Sequence, residues 1–277
     1  MTSLSAFNTF TDGLKEQGQL MPVLFIGHGS PMNGIEDNEF SQRWTAMAKE
    51  IPTPSAVLVV SAHWLSKGTQ ITAMENPKTI HDFGGFPKAL FEVQYNAPGN
   101  PILAKETAAL LTSTHVTLDH DWGLDHGTWT VVRHMYPNAN IPVLQLSIDY
   151  TKSPQYHFDL AKELYSLRKK GVLIIGSGNM VHNLGMMAWD KINEPDYGFD
   201  WAVKINDTFK SLIMNGDFKP LINYEHLGKE ANLAIPTPEH YWPLMYTLGL
   251  KGAKDAVSIF NDKAVAGSIT MTSVKIG

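Results

Sequence analysis

The apolar positions of this chain fall into two rhythms. Residues 22–27 (PVLFIG), 56–61 (AVLVVS), 141–148 (IPVLQLSI) and 172–179 (VLIIGSGN) are short, nearly continuous apolar runs. This is the pattern of strands covered on both faces in an α/β protein. Between the first two, Phe40, Trp44, Met47 and Ile51 recur at helical spacing, which predicts an amphipathic helix and a βαβ unit. Asn100-Pro101 and Ser153-Pro154 each set a capping side chain before a proline, followed by periodic Leu and Ala, and so start two more helices. The tail, AVSIFND and GSITMTSVKI, alternates more and predicts antiparallel edge strands with one wetter face. About four core strands flanked by helices, with no internal repeat or linker, predict one domain with a mixed sheet between helices.

Composition supports that class and narrows the chemistry. The 277 residues are 43% hydrophobic and 18% charged, enough for an ordinary core. With no cysteine, disulfides, iron–sulfur clusters and thiolate zinc sites are excluded, so any metal must take nitrogen and oxygen ligands. A net charge of −5 without a Lys/Arg-rich run argues against nucleic-acid or anionic-membrane partners. The first twenty residues lack a signal-peptide core, and no apolar run reaches the roughly 18 residues of a membrane span. The expectation is a cytoplasmic protein, with a homo-oligomer left open.

The candidate chemistry lies in the histidines. The first two runs lead straight to His28 (FIGHGSP) and His63 (VVSAHW), and side chains just beyond buried parallel strands face the crevice at the carboxyl edge of the sheet. His182 follows the strand–turn IIGSGNMVHN over the same edge, with Asn179 and Asn183 as hydrogen-bonding neighbours. His126 opens a predicted helix in GLDHGTW, and His240 lies in PTPEHYWPL. His81, His115, His120, His134, His157 and His226 sit in polar or helical contexts and read as surface or capping residues. Imidazole with carboxylate or water suits iron, zinc, manganese, nickel or copper.

The stretches GHGSPMN (27–33), SAHW (61–64), TIHDFGGFP (79–87), DHGTW (125–129), SGNMVHN (177–183), NYE (223–225) and PTPEHYWPL (236–244), in this order, resemble the class III extradiol ring-cleaving dioxygenases, in the branch of the 4,5-DOPA dioxygenases. The resemblance implies a single-domain three-layer α/β/α sandwich around a mixed, largely parallel sheet, with residues 1–20 as an N-terminal extension and 21–277 as the catalytic domain. It implies one divalent metal per chain, Fe(II) for ring cleavage or Zn(II) as found bound. The ligands would be His28, His63 and His240, with His182 a fourth histidine close to the metal and sometimes a ligand. His126 would be an acid/base or substrate-orienting group. The implied reaction opens a DOPA-like catechol with O2 to a muconic semialdehyde, and His182 or His126 would take the catechol proton.

Better-known extradiol enzymes hold iron with two histidines and a glutamate, and here Glu239 and His240 are adjacent. Neighbouring side chains diverge on a helix or strand, so His240 is expected as ligand and Glu239 as its partner. An all-histidine site fits an anionic catecholate and binds zinc readily. Trp64, Phe83, Phe86, Trp129 and Tyr241 are expected to wall the pocket, and HDFGGFP to form a substrate loop. Two other enzyme readings stay open. A serine hydrolase would use Ser30 or Ser177, although the G-x-S-x-G elbow is absent, and a zinc hydrolase would use the same histidines. A non-catalytic module of the same fold should have lost metal histidines, and none is lost here.

Overall fold

The computed structural model describes residues 13–277. The expected extension at 1–20 therefore lies mostly outside the described residues, although the Gln17 amide already donates to the Lys169 carbonyl at 2.6 Å. The strands are β1 (Val23–Gly27), β2 (Ala56–Ser66), β3 (Thr69–Thr72), β4 (Val116–Asp119), β5 (Val143–Asp149), β6 (Val172–Gly178), β7 (Val257–Phe260), β8 (Ala264–Val265), β9 (Ile269–Thr270) and β10 (Ser273–Ile276). Eight of them form one sheet in the order β4-β3-β5-β2-β6-β1-β10-β7. The four long apolar runs are its parallel centre, β5-β2-β6-β1. β10 runs antiparallel to β1 and β7 antiparallel to β10, so the sheet is mixed.

Two features differ from the sequence expectation. β10 is no edge strand: it lies between β1 and β7, with Ser273, Val274 and Ile276 buried, and only β7 has the wetter face. At the other edge, β3 and β4 were not legible, because four residues each are too few to establish a period.

Side chains of the parallel strands alternate between two helical layers. Leu24 and Ile26 pack with Trp44 and Met47 of α1 (Glu39–Glu50). On the opposite face Val23 packs in a cluster containing Leu103 of α2 (Pro101–Leu110). The helix α3 (His126–Met135) joins the first layer through Trp129, Val132 and Met135. The second layer holds α4 (Pro154–Glu163), α5 (Asp200–Asn215) and α6 (Trp242–Gly249), with Leu160 and Tyr246 in the Val23 cluster and Phe209 and Leu244 packed with Phe25. The sandwich therefore has three layers. The expected caps form: Asn100 accepts from the Leu103 amide and Ser153 from the Tyr156 amide, each contributing about 1 kcal/mol. Among the described residues, no helix is long and apolar enough to cross a membrane.

Candidate metal centre

Five histidines meet at the carboxyl edge of the sheet, each delivered by a different local device. His28 extends the β1 ladder by one residue, its amide donating to the Gly178 carbonyl at 3.1 Å, before Gly29 turns the chain away at φ +62°. His63 sits where the β2–β5 register slips between Val60 and Leu65, an irregularity that re-aims side chains beside a site. His126 is the first residue of α3, whose N-cap Asp125 accepts from the Thr128 amide. The His182 amide donates to the Ala234 carbonyl at 2.9 Å. His240 lies on a turn that docks against the end of β6, where its carbonyl accepts from the Asn179 amide at 2.9 Å. Gly178 makes this docking possible, since a Cβ there would stand 2.1 Å from the His240 oxygen.

The ring separations divide the five into two kinds. His28, His63 and His240 form a nearly equilateral triangle, with centroids 5.1, 5.3 and 5.0 Å apart. Imidazoles bonded at about 2.1 Å to a common ion have their centroids about 3.2 Å from it, and at near-tetrahedral angles about 5 Å from one another. The other two crowd members of this triangle, His126 tilted by 47° at 3.8 Å from His63 and His182 stacked at 3.6 Å on His240. By their donor atoms alone, His28, His63 and His126 form one group that could hold a metal and His182, Glu239 and His240 a second. His126, expected only as an acid/base, thus stands within donor range of two expected ligands.

Hydrogen bonds fix which ring nitrogens are free. Ser177 donates to the Gly127 carbonyl at 2.6 Å, so its oxygen is left to accept from His28 Nδ1 at 2.9 Å. Asp82 Oδ2 lies 2.9 Å from His126 Nδ1 and 3.4 Å from His63 Nδ1. Glu239 Oε1 lies 3.4 Å from His240 Nδ1. Each anion or hydroxyl oxygen holds a proton on Nδ1 and leaves Nε2 bare. The Nε2 atoms of His28 and His63 then face each other as two acceptors 3.2 Å apart, an arrangement that is favourable only with a cation or proton between them. This donor set fits a divalent metal.

The electrostatics agree. Burial, reinforced by the neighbouring imidazoles, pushes His28 and His63 well below the ordinary histidine range. Burial also lowers His240, against the pull of Glu239, and takes His182 down to about 3. All four are neutral at pH 7, the state a metal requires. Burial pushes the Glu239 carboxyl up, but hydrogen bonds from His240 and Thr237 outweigh it and hold the group at about 2.

The remaining expected residues are placed as follows. Phe83 stands edge-on to His126 at 5.5 Å, with Phe86 against it, and is well placed to wall a pocket. Trp64 is not: one residue beyond His63, it turns to the other side of the strand, is buried, and stacks on Trp122 at 5.6 Å. Tyr241 is also core, packed on Phe209 and Tyr224 with its hydroxyl donating to the Leu221 carbonyl. Trp129 is fully buried beneath the loop and donates from Nε1 to the Ile80 carbonyl. Glu239 and His240 do not diverge, because they lie on a turn rather than a helix or strand. His157, expected at the surface, is fully buried against the Tyr246 hydroxyl. Ser30 caps a short turn and Ser177 is fully buried, so neither is poised as a nucleophile. Sequence reasoning missed Asp82 and the buried group of Ser61, Asp125 and Gln145, in which Asp125 accepts from Ser61 at 2.8 Å and from Gln145 at 2.6 Å. The only signal for Asp82 was its place inside TIHDFGGFP.

Residues 22–274 match the family model described as the catalytic LigB subunit of aromatic ring-opening dioxygenase. A 4,5-DOPA dioxygenase extradiol of Escherichia coli (strain K12) is 46% identical over 262 residues, 93% of this chain and 95% of that protein. One from Beta vulgaris is 33% identical over 271 residues, 95% and 97% of the two chains. The crystal structure of an uncharacterised protein from Escherichia coli K12 superposes with a TM-score of 0.80 at 40% identity, covering 93% of this chain and 100% of that one.

Proposed function

The chain belongs to the LigB family of aromatic ring-opening dioxygenases and is an extradiol enzyme, and from that premise we propose that it opens a DOPA-like catechol with O2 to a muconic semialdehyde. The observation that carries this reading is the near-equilateral triangle of His28, His63 and His240, with Nδ1 of each held by an oxygen. The three Nε2 atoms left bare would hold one divalent metal, with His126 in donor range of His28 and His63, and His182 and Glu239 in donor range of His240. When Fe(II) is bound it supplies the redox chemistry and a template for a chelating diol and dioxygen, which d¹⁰ zinc on the same nitrogens does not.

The protein's own groups handle the protons and exclude water. An imidazole at His126 or His182 accepts a catechol proton and later returns it. His126 has its Nδ1 committed to Asp82, so Nε2 is the acceptor. His182, stacked flat on His240 and taken by burial down to about 3, is a weak acceptor on the His240 side of the centre. Phe83 closes the His126 side. The test is metal replacement: Fe(II)-loaded protein should convert DOPA or a related catechol to a yellow ring-opened product, and the Zn(II)-loaded protein should not. Equal activity of the zinc form, or none with any catechol in the iron form, would reject the proposal.

A further inference from the structure

We propose that Asp82 is a positioning residue that serves two histidines at once, setting the tautomer of His126 and steadying His63. Oδ1 accepts from the His126 backbone amide at 2.9 Å, and Oδ2 lies 2.9 Å from His126 Nδ1 and 3.4 Å from His63 Nδ1. An ionised carboxylate only accepts, so both ring nitrogens facing it must carry protons. One oxygen therefore lies between the group that moves a proton and a group that would hold the metal. The side chain is sheltered, at 17% exposure.

The same residue ties the loop to the centre. Upstream the loop is anchored, with Ile80 donating to the Leu124 carbonyl at 2.7 Å and His81 Nε2 near the Val93 carbonyl at 3.0 Å. Downstream come the exposed Gly84 and Gly85, the latter at φ +80°. Asp82 is the last anchored polar residue before that glycine pair, and Phe83 directly follows it. Asp82 thus fixes His126 and the aromatic ring beside it by the same contact.

Asp82→Asn separates this role from packing, because the amide is isosteric. Its oxygen can keep the bond from the His126 amide, but its NH2 then replaces Oδ2 and donates. His126 Nδ1 must become an acceptor and the ring proton moves to Nε2, so that no acceptor is left for the catechol proton. The role in turnover rests on the dioxygenase reading; the tautomer does not. The experiment uses the full-length protein, with ¹⁵N NMR of the histidine side chains in the zinc-loaded form, zinc competition against a chelator, and kinetics of the iron-loaded form. Asp82→Asn should move the His126 proton from Nδ1 to Nε2 and weaken zinc about tenfold. With metal saturating, kcat should fall about 100-fold or more while KM stays within about threefold. Asp82→Glu should recover part of kcat. A His126 that keeps its Nδ1 proton in Asp82→Asn, or a kcat within about twofold of the parent, would overturn the assignment. If the parent iron form cleaves no catechol while the proton still moves, the dioxygenase reading fails and the positioning role stands.

Discussion

The Ser177 hydroxyl carries one proton and gives it to the Gly127 carbonyl 2.6 Å away, so toward His28 Nδ1 at 2.9 Å it can only accept. That single constraint holds the His28 proton on Nδ1 and leaves Nε2 free at the centre. Ser177→Ala should leave the fold intact and weaken metal binding by about 10- to 100-fold. A chelator-competition titration checks this, and unchanged affinity would mean that packing alone orients the ring.

The triangle and its two flanking rings make different predictions for alanine. His28→Ala, His63→Ala and His240→Ala should each lose most of the bound metal, whereas His126→Ala should keep it and lose turnover by about 10²- to 10⁴-fold. Metal content by elemental analysis decides the matter. Full occupancy in His240→Ala would shift the third position to Glu239 or His182, which lie in the same group.

Gly178 tests how the fold delivers His240. A Cβ there would meet the His240 carbonyl oxygen at 2.1 Å and the carbonyl carbon at 3.0 Å, so in Gly178→Ala the turn must move. Destabilisation of about 1–3 kcal/mol is expected, with metal affinity falling further than a uniform loss of stability would explain. Thermal unfolding with and without zinc separates the two effects. An alanine variant with parental metal affinity would show that the turn adapts.

Much of this site was legible in the sequence because parallel strands leave a strong local signal. The runs ending at His28 and His63 are continuous and apolar, and a side chain after such a strand has only one edge to face. The walls were not legible. Trp64 and Tyr241 sit next to His63 and His240 in sequence, yet alternation along a strand and the winding of a turn send adjacent side chains to different environments. Asp82 gave no signal beyond its place in TIHDFGGFP, because its partners are 44 and 19 positions away and no periodicity relates them. The buried state of His157 was hidden for a similar reason: helix α4 is amphipathic, and the face it buries is set by where α6 packs.

His157 gives a stability prediction independent of the metal. Burial takes it from an ordinary value of 6.5 down to about 4. Between these values the unfolded chain binds a proton that the folded chain does not, so the stability held above pH 6.5 is lost as the pH falls toward 4. The group is fully buried, and between pH 7 and pH 5 it should account for about 2 kcal/mol of that loss. Urea unfolding of the parent and of His157→Gln at the two pH values measures it. The variant should show the smaller pH dependence, and equal dependence would refute the prediction.

The central claim is that this all-histidine centre performs extradiol cleavage. Anaerobic reconstitution with Fe(II), followed by DOPA or a related catechol under ¹⁸O2 with oxygen uptake recorded, tests it most directly. The account predicts one O2 consumed per catechol, a yellow semialdehyde absorption that fades in acid, and both labelled atoms in the ring-opened product. Catechol bound without oxygen uptake, together with ester or amide hydrolysis by the zinc form, would contradict it and assign the same histidines to a hydrolase.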